Sequence, residues 1–426
     1  MTVDFKSIFR SRGRNTVRYY LIVIALLTFL FFSNDFGLID VQKTAIVMAV
    51  GVDKEDDVFI VTSQIAIPQS SKESKSTQAV QIVSRGKTVA DAFKEINAKT
   101  GWYPKLVFCD LIILGEFSKQ ENVFEALDYF LRNEYLSDNC MVATCDGKAK
   151  DLLNTQALVD PSSAVAIQKV LSRHAERVGT VLPASLRQFS IGFFGESKSG
   201  FLPVLKTQPQ QEKISGENTK QENAPKEKES GSGGSGENQG GGSDASQSGN
   251  QKSSEQEKPV FSAGETALFV DGKWVDTFLE NETFAFATIY SKLQLASYTV
   301  EQNGEFCTLN VRNNQPKISL KIGDNERVFV KVDLALTAGI SDYSKSQDLS
   351  NLADAGDAPN GIYRLAEKKL KAELAQVFEK CRASGCDLFE IQGRLQRREK
   401  DGFYRVNNDA LDGAILEVNV RFTDVR

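Results

Sequence analysis

The amino-acid sequence predicts an α+β protein in which an N-terminal transmembrane helix precedes mixed-sheet exterior domains joined by a disordered linker. Three observations support this prediction. Residues 19–32 form a long apolar run beside a basic tail, and residues 206–258 are rich in Gly, Ser and Gln. The remaining segments alternate between strand-like and helix-like patterns without a strict βαβ rhythm, which is typical of the α+β class.

The N-terminal region has the composition of a signal anchor. Five Lys and Arg residues lie within residues 1–18. A spanning helix needs about 20 apolar residues, so we extend the predicted span over residues 19–39. The positive-inside rule places the basic tail in the cytoplasm and the bulk of the chain outside. Phe31–Asp35 fits a signal-peptidase site poorly, which favours an uncleaved anchor over a cleaved signal or a soluble hydrophobic helix.

Composition excludes one class of partner and sets the scale of the fold. The formal net charge is −5 in spite of the basic tail, and 41% of the residues are hydrophobic. A nucleic-acid-binding protein would show a basic face, and no such face is evident, so no nucleic-acid partner is predicted. The length is sufficient for two or three packed domains.

The region between the anchor and the linker, residues 40–205, is predicted to form a first α+β region. Thr44–Asp53 and Asp57–Ile67 are rich in β-branched residues, and Lys54–Asp56 between them predicts a hairpin turn. Thr88 is a good N-cap for a helix in which Val89, Phe93 and Ile96 recur at helical spacing. Further strands are predicted at Val80–Ser84, Leu106–Leu114 and Cys140–Cys145, and further helices at Val123–Leu131, Ala149–Leu153 and Ser162–Leu171.

Residues 206–258 form the predicted linker. They contain no aromatic residue, so they cannot bury enough apolar surface to offset the entropy lost on ordering, and a flexible coil is expected. Two interpretations remain open at this point. The linker is either a spacer between two independent domains or an insertion in a surface loop of one folded unit.

The region after the linker, residues 259–426, is predicted to form a second α+β domain. Glu265–Val270 and Lys273–Leu279 flank Asp271-Gly272, which is a strong hairpin pattern. Alternating apolar residues predict strands at Val328–Leu336 and Leu416–Phe422, and one apolar face predicts a long helix over Ile362–Cys381.

The sequence offers little that could perform chemistry. His174 is the single histidine and lies in a charged run, where a surface position is expected; with no Cys-x-x-Cys pair, a zinc site is not predicted. No glycine-rich phosphate loop follows a strand, and no carboxylate spacing specifies an acid–base pair. We therefore predict no catalytic, cofactor-binding or metal-binding residues, and no cofactor.

Five of the six cysteines fall into two groups. Cys140 and Cys145 on one strand would lie roughly 16 Å apart, outside disulfide reach, and Cys109 is expected in the middle of a strand as a small core residue. Cys381 ends the predicted long helix, and a short turn separates it from Cys386. This pair could close a small disulfide loop in an oxidising exterior; otherwise all six are free thiols.

The order of several motifs resembles the Ger(x)C family, the C subunits of bacterial spore germinant receptors. Each motif is short and mostly apolar, so their order carries more information than any one of them. The matching segments are Ala45–Asp53, Val83–Ala92, Leu111–Glu116, Leu127–Arg132, Ala267–Val270, Trp274-Val275 and Leu279–Thr283. Members of this family carry a cysteine directly after the apolar run as a lipid anchor. The first cysteine here is Cys109, so an uncleaved helix is expected to replace the lipid.

The resemblance implies a non-enzymatic, single-pass subunit on the outer face of the cell or inner spore membrane. It would assemble with multi-pass membrane subunits and serve nutrient-triggered germination. The family motif places four residues, for which we predict structural roles: Gly51 and Gly86 in turns, Asp53 as a hairpin cap and Glu282 as a solvated acid. Two alternatives remain, an exterior scaffold of another envelope complex and a cell-wall hydrolase.

Overall fold

A computed structural model describes residues 18–29, 44–66, 79–155, 157, 160, 162–172, 176–208, 260–302, 305–323, 326–343, 360–398, 400–406 and 410–425. Over these residues the chain is a mixture of strands and helices, as the α+β prediction required. The strands are β1 (Thr44–Glu55), β2 (Val58–Ala66), β3 (Ala79–Gly86), β4 (Tyr103–Lys105), β5 (Leu111–Leu114), β6 (Met141–Cys145), β7 (Ala184–Ser185), β8 (Ser199–Gln208), β9 (Val260–Val270), β10 (Lys273–Phe278), β11 (Ala296–Gln302), β12 (Glu305–Ile322), β13 (Val328–Tyr343) and β14 (Ile415–Asp424).

The described residues also form helices. They are α1 (residues 18–29), α2 (Val89–Thr100), α3 (Phe124–Leu131), α4 (Ala149–Leu153), α5 (Ser163–Val170), α6 (Leu186–Phe194), α7 (Glu280–Tyr290), α8 (Asn360–Ser384), α9 (Ile391–Arg398) and α10 (Lys400–Val406). A 3₁₀ turn, Glu116–Lys119, follows β5.

The larger sheet spans both sides of the linker. Its strand order is β10-β9-β8-β6-β5-β1-β2-β3, with β4 beside β1 and β7 beside β6. The strands β1, β4, β5, β6 and β8 run parallel, so their amino ends lie at one edge of the sheet. We call this edge the amino edge. The smaller sheet has the order β11-β12-β13-β14, and α8 packs on it through buried side chains such as Leu370, Leu374 and Val377.

Both predicted hairpins are present, but the first turn lies two residues further along than expected. β1 continues through Lys54 to Glu55, and Asp56 and Asp57 form the turn with φ of 46° and 62°. A two-residue turn of this hand needs positive φ at both central positions, and Asp is among the few residues that tolerate it. The second hairpin turns at Asp271-Gly272, as predicted, with φ of 50° and 75°.

The flanks of the predicted linker pair with each other. β8 and β9 are antiparallel neighbours, and their register ends at Gln208 opposite Val260. Lys206, which we assigned to the linker, is therefore a strand residue. It is held there by the partner strand, whose Glu265 accepts a hydrogen bond of 2.6 Å from Lys206 Nζ. Residues 209–259, which make up most of the predicted linker, lie outside the described residues.

The predicted strand Leu106–Leu114 is wrong in its first half. Strand pairing begins at Leu111, because a turn precedes it in which the Cys109 N–H donates to the Leu106 carbonyl at 2.9 Å. Cys109 is buried in this turn and is not a mid-strand residue.

The apolar N-terminal run is helical where the structure describes it, over residues 18–29, and its large side chains are exposed. The rest of the predicted span lies outside the described residues. No helix within the described ranges combines the length and hydropathy needed to cross a bilayer.

Candidate functional site

Asp53, one of the four motif residues, is a buried helix cap. It lies in β1 with 5% of its surface exposed. Its carboxylate accepts hydrogen bonds from the backbone N–H groups of Ala149 at 2.8 Å and Lys150 at 3.1 Å, and so satisfies the first turn of α4. Burial raises the pKa of Asp53, and these two bonds oppose that rise. The predicted role as a hairpin cap is wrong, because the side chain points across the sheet to α4.

Gly51 and Gly115 keep space open around this cap. Gly51 lies in the middle of β1 and not in a turn, and a Cβ there would stand 3.0 Å from the Cβ of Ala149. A Cβ on Gly115 would stand 2.0 Å from Asp53 Oδ1. Sequence reasoning missed Gly115, whose N–H donates to the Val52 carbonyl at 2.8 Å. The end of a predicted motif, Leu111–Glu116, was the one signal available.

Gly86 is the last residue of β3, and the first turn of α2 packs against its backbone. A Cβ on Gly86 would stand 2.4 Å from the backbone nitrogen of Ala92. Helix α2 begins at the predicted cap, since Thr88 Oγ1 accepts a hydrogen bond of 3.1 Å from the Asp91 N–H. Gly86 is therefore required by close helix–strand contact, and the predicted turn role is wrong.

Glu282 is buried and paired, so the expected solvated acid is also wrong. It accepts a hydrogen bond from the Leu279 N–H at 2.8 Å, which caps the start of α7. Lys380 on α8 donates to it at 2.7 Å and also to the Thr277 carbonyl at 2.8 Å. The pair fastens α8 to the end of β10. Lys380 was not predicted, because 98 residues separate it from Glu282.

The four motif residues do not form one site. Gly51 and Asp53 both contact α4, Gly86 contacts α2, and Glu282 joins α7 to α8. Each holds a helix against a strand or another helix. His174 lies outside the described residues. Among the described residues, no group of three or more His, Cys, Asp and Glu side chains is arranged to hold a metal ion.

A cleft of about 380 Å³ lies where the segments on the two sides of the linker meet. Helix α6 forms one wall and α9 the other. Ile191 and Phe194 on α6 remain 64% and 72% exposed. The polar side chains of the cleft are paired across it or along α9: Gln396 donates to Glu196 at 2.7 Å, and Arg397 to Glu390 at 3.1 Å. Exposed apolar side chains beside paired polar ones are typical of a surface that docks another molecule, and less so of a site that transfers a proton.

The segment before α9 locks the two sides of the cleft together. Asp387 is buried, and its carboxylate accepts from the N–H groups of Ile391 and Gln392, both at 2.9 Å. Its own N–H donates to Ser199 Oγ on β8 at 2.9 Å. Burial raises the pKa of Asp387. The adjacent Cys386 thiol lies 3.5 Å from the Phe269 carbonyl of β9.

All six cysteines are buried. Cys381 and Cys386 are joined by a backbone hydrogen bond of 2.9 Å, and their disulfide stays a prediction. The Cys140 thiol, just before β6, lies beside the Cys109 thiol, and this contact together with burial raises the pKa of Cys140. Sequence reasoning did not pair these two.

Two family profiles match the chain on either side of the linker. Residues 38–207 match the profile described as "Spore germination protein N-terminal domain". Residues 264–423 match the one described as "Spore germination B3/ GerAC like, C-terminal". The chain belongs to the Ger(x)C family. The predicted resemblance is therefore confirmed, and the two profiles meet within the larger sheet, at the pairing of β8 with β9.

Two individual proteins are also similar to this chain. The chain is 27% identical over 120 residues to spore germination protein B3 of Bacillus subtilis (strain 168), an alignment that covers 26% of the chain and 31% of that relative. A crystal structure of the GerBC protein aligns with 88% of this chain and 97% of its own length, at 14% identity and a TM-score of 0.49.

Proposed function

We propose that this protein is a membrane-anchored, non-enzymatic subunit of a spore germinant receptor, needed for assembly of the receptor and for nutrient-triggered germination. The observation that carries the proposal is the match of both family profiles, which together cover residues 38–207 and 264–423. The chain therefore contains both of the regions that the two family models describe.

The motif residues support a role in assembly. Asp53 and Glu282 are polar and buried, but each is occupied in capping a helix, and Glu282 is also paired with Lys380. Residues that hold elements together preserve the shape of a surface on which partners assemble. The partners we propose are the multi-pass membrane subunits of the receptor.

The proposed anchor is the segment 19–39, with residues 1–18 in the cytoplasm and the rest outside. The basic tail and the helical start of the apolar run, residues 18–29, support it. Protease added to intact protoplasts should then degrade the exterior region. Protection of that region would contradict this orientation.

The function is tested by exchanging the anchor in spores that lack the protein. The full chain should restore nutrient-triggered loss of refractility, and so should a chain whose residues 1–39 are replaced by an unrelated single-pass helix of the same orientation. A chain with a cleavable secretory signal in their place should not, because release from the membrane removes it from its partners. Recovery of the multi-pass subunits in each strain measures assembly, since a subunit is stabilised by binding.

Two outcomes would contradict the proposal. One is a normal response to every germinant in spores that lack the protein. The other is loss of the response on substituting Glu282→Gln or His174→Ala while the variant protein and its partners keep their normal abundance, because that pattern indicates chemistry. Glu282→Gln is the sharper of the two, since its amide oxygen can still accept from Leu279 and Lys380.

A further inference from the structure

The amino edge of the larger sheet carries an unusual set of exposed side chains. Five large apolar or aromatic residues at this edge are between 43% and 59% exposed. They are Trp102, Tyr103, Val107, Phe108 and Tyr135. We call them the edge residues.

Topology brings the edge residues together from three loops. Tyr103 begins β4 and pairs with Thr44, the first residue of β1. Val107 and Phe108 lie in the turn between β4 and β5, and Tyr135 lies in the loop that leads to β6. The loops before β4 and β6 precede the amino ends of parallel strands, and the turn between β4 and β5 lies beside β1 between its pairings with Tyr103 and Leu111.

The composition of this edge is that of a bilayer interface. Tryptophan and tyrosine favour the headgroup level of a membrane, where an apolar ring and a polar group are both accommodated. Lys105 Nζ stands 4.8 Å from the ring centroid of Tyr135, which places a cation among the rings. Asp110 and Glu134 lie close by in the sequence, so the edge is not strongly basic, and contact would depend on the rings more than on attraction to anionic lipid.

The path of the chain supplies the second argument, which rests on the proposed anchor. If the span ends at residue 39, only residues 40–43 separate the bilayer from Thr44, and four residues reach at most about 14 Å. Thr44 pairs with Tyr103. The anchor therefore holds the amino edge of the sheet close to the membrane, and Trp102 and Tyr103 are the edge residues nearest to it.

We propose that the edge residues lie in the headgroup region of the membrane that holds the anchor, so that the exterior region stands on the bilayer by the amino edge of its sheet. Two points of attachment, the anchor and the edge, then fix how the opposite edge and the cleft are presented to the other subunits. The lipid bilayer is the partner at this surface.

The two tryptophans of the chain allow a direct test. Trp102 lies at the amino edge. Trp274 is half-buried on the edge strand β10, four strand positions across the sheet from β4 and roughly 19 Å away. Lys119 stands 5.5 Å from its ring. Full-length Trp274→Phe and Trp102→Phe variants each keep one tryptophan. Both are reconstituted into phosphatidylcholine vesicles with and without brominated acyl chains, which quench tryptophan on contact.

Brominated lipid should lower the fluorescence of Trp102 by about twofold or more and leave that of Trp274 unchanged. Flotation of the vesicles checks the anchor separately. If the protein floats with the vesicles and Trp102 is not quenched, the edge proposal is overturned while the proposed function stands. If it does not float, the anchor and the edge proposal fail together. Unquenched Trp102 with loss of multi-pass subunits from purified Trp102→Ser complexes would assign the edge to a protein partner instead.

Discussion

Close backbone contact at Gly86 illustrates how single residues hold this fold. A methyl group there would meet the backbone of α2 at 2.4 Å, and a backbone atom cannot move aside as the end of a flexible side chain can. Gly147 offers a matched control, because a Cβ at that position would meet nothing within 4 Å. The same substitution at these two positions therefore tests only the effect of the surroundings.

We expect Gly86→Ala to lower the free energy of unfolding by about 1 to 3 kcal/mol, since overpacking forces shifts of this cost. Gly147→Ala should change it by less than about 0.5 kcal/mol. Thermal unfolding of the full chain in detergent micelles measures both. Equal effects of the two substitutions would show that the contact between β3 and α2 is not tight.

Glu373 gives a prediction for pH. It is buried on α8, accepts a hydrogen bond from the Tyr298 hydroxyl at 3.0 Å, and lies 3.9 Å from Lys369 Nζ. Burial raises the pKa of Glu373 above its ordinary value of 4.5. The folded state then holds its proton at pH values where the unfolded state has released it, so stability falls as the pH rises from about 4.5 through the folded pKa.

Glu373→Gln keeps an acceptor for Tyr298 and removes the titration. We expect the variant to have a higher Tm than the wild type at pH 7, and the difference to disappear as the pH falls below about 4.5. Glu417→Gln, on the exposed face of β14, is the control for loss of a carboxylate and should change the Tm at pH 7 little, because an exposed ion pair contributes little stability. A difference for Glu373→Gln that stays constant with pH would contradict the assignment.

At the scale of elements, the pairing of β8 with β9 defines what the linker connects. Gln208 stands opposite Val260 at the end of the ladder, so the roughly fifty residues between them close a single hairpin. We expect replacement of residues 209–259 by Asn-Gly, a two-residue hairpin turn, to leave the fold intact. It should stabilise the protein by up to about 2 to 3 kcal/mol, because the entropy of closing a loop grows slowly with its length.

Thermal unfolding and germination assays together decide this prediction. A lower Tm would show that residues 209–259 stabilise the fold. A higher Tm with a lost germinant response would show that these residues have a role in the receptor beyond joining two strands.

For the whole molecule, the shared sheet predicts that its two parts remain together when the chain is cut. If residues 209–259 form the predicted flexible coil, brief proteolysis should cleave there. The fragments should still elute together in native gel filtration, because β8 and β9 stay paired and Asp387, Gln396 and Lys206 make further hydrogen bonds between the parts. They should separate only in denaturant. Separation under native conditions would favour independent domains.

The sequence alone determined the features that depend on neighbouring residues. Thr88 caps α2, Asp271-Gly272 turns a hairpin, and the apolar face of residues 362–381 forms the long helix α8, because each depends on side chains a few positions apart. The order of short motifs also sufficed for the family. The cap, the turn and the helix each depend on residues close together in the chain, so hydrophobic periodicity and turn-forming residues were enough to predict them.

Only the tertiary structure decided what the motif residues contact. Asp53 caps a helix almost a hundred residues further on, Glu282 pairs with Lys380 on a distant helix, and Gly115 leaves room for a carboxylate of another strand. It also decided that the strands before and after the linker share one sheet. Such contacts join residues that the chain brings together only on folding, so a single sequence carries no pattern from which they could be read.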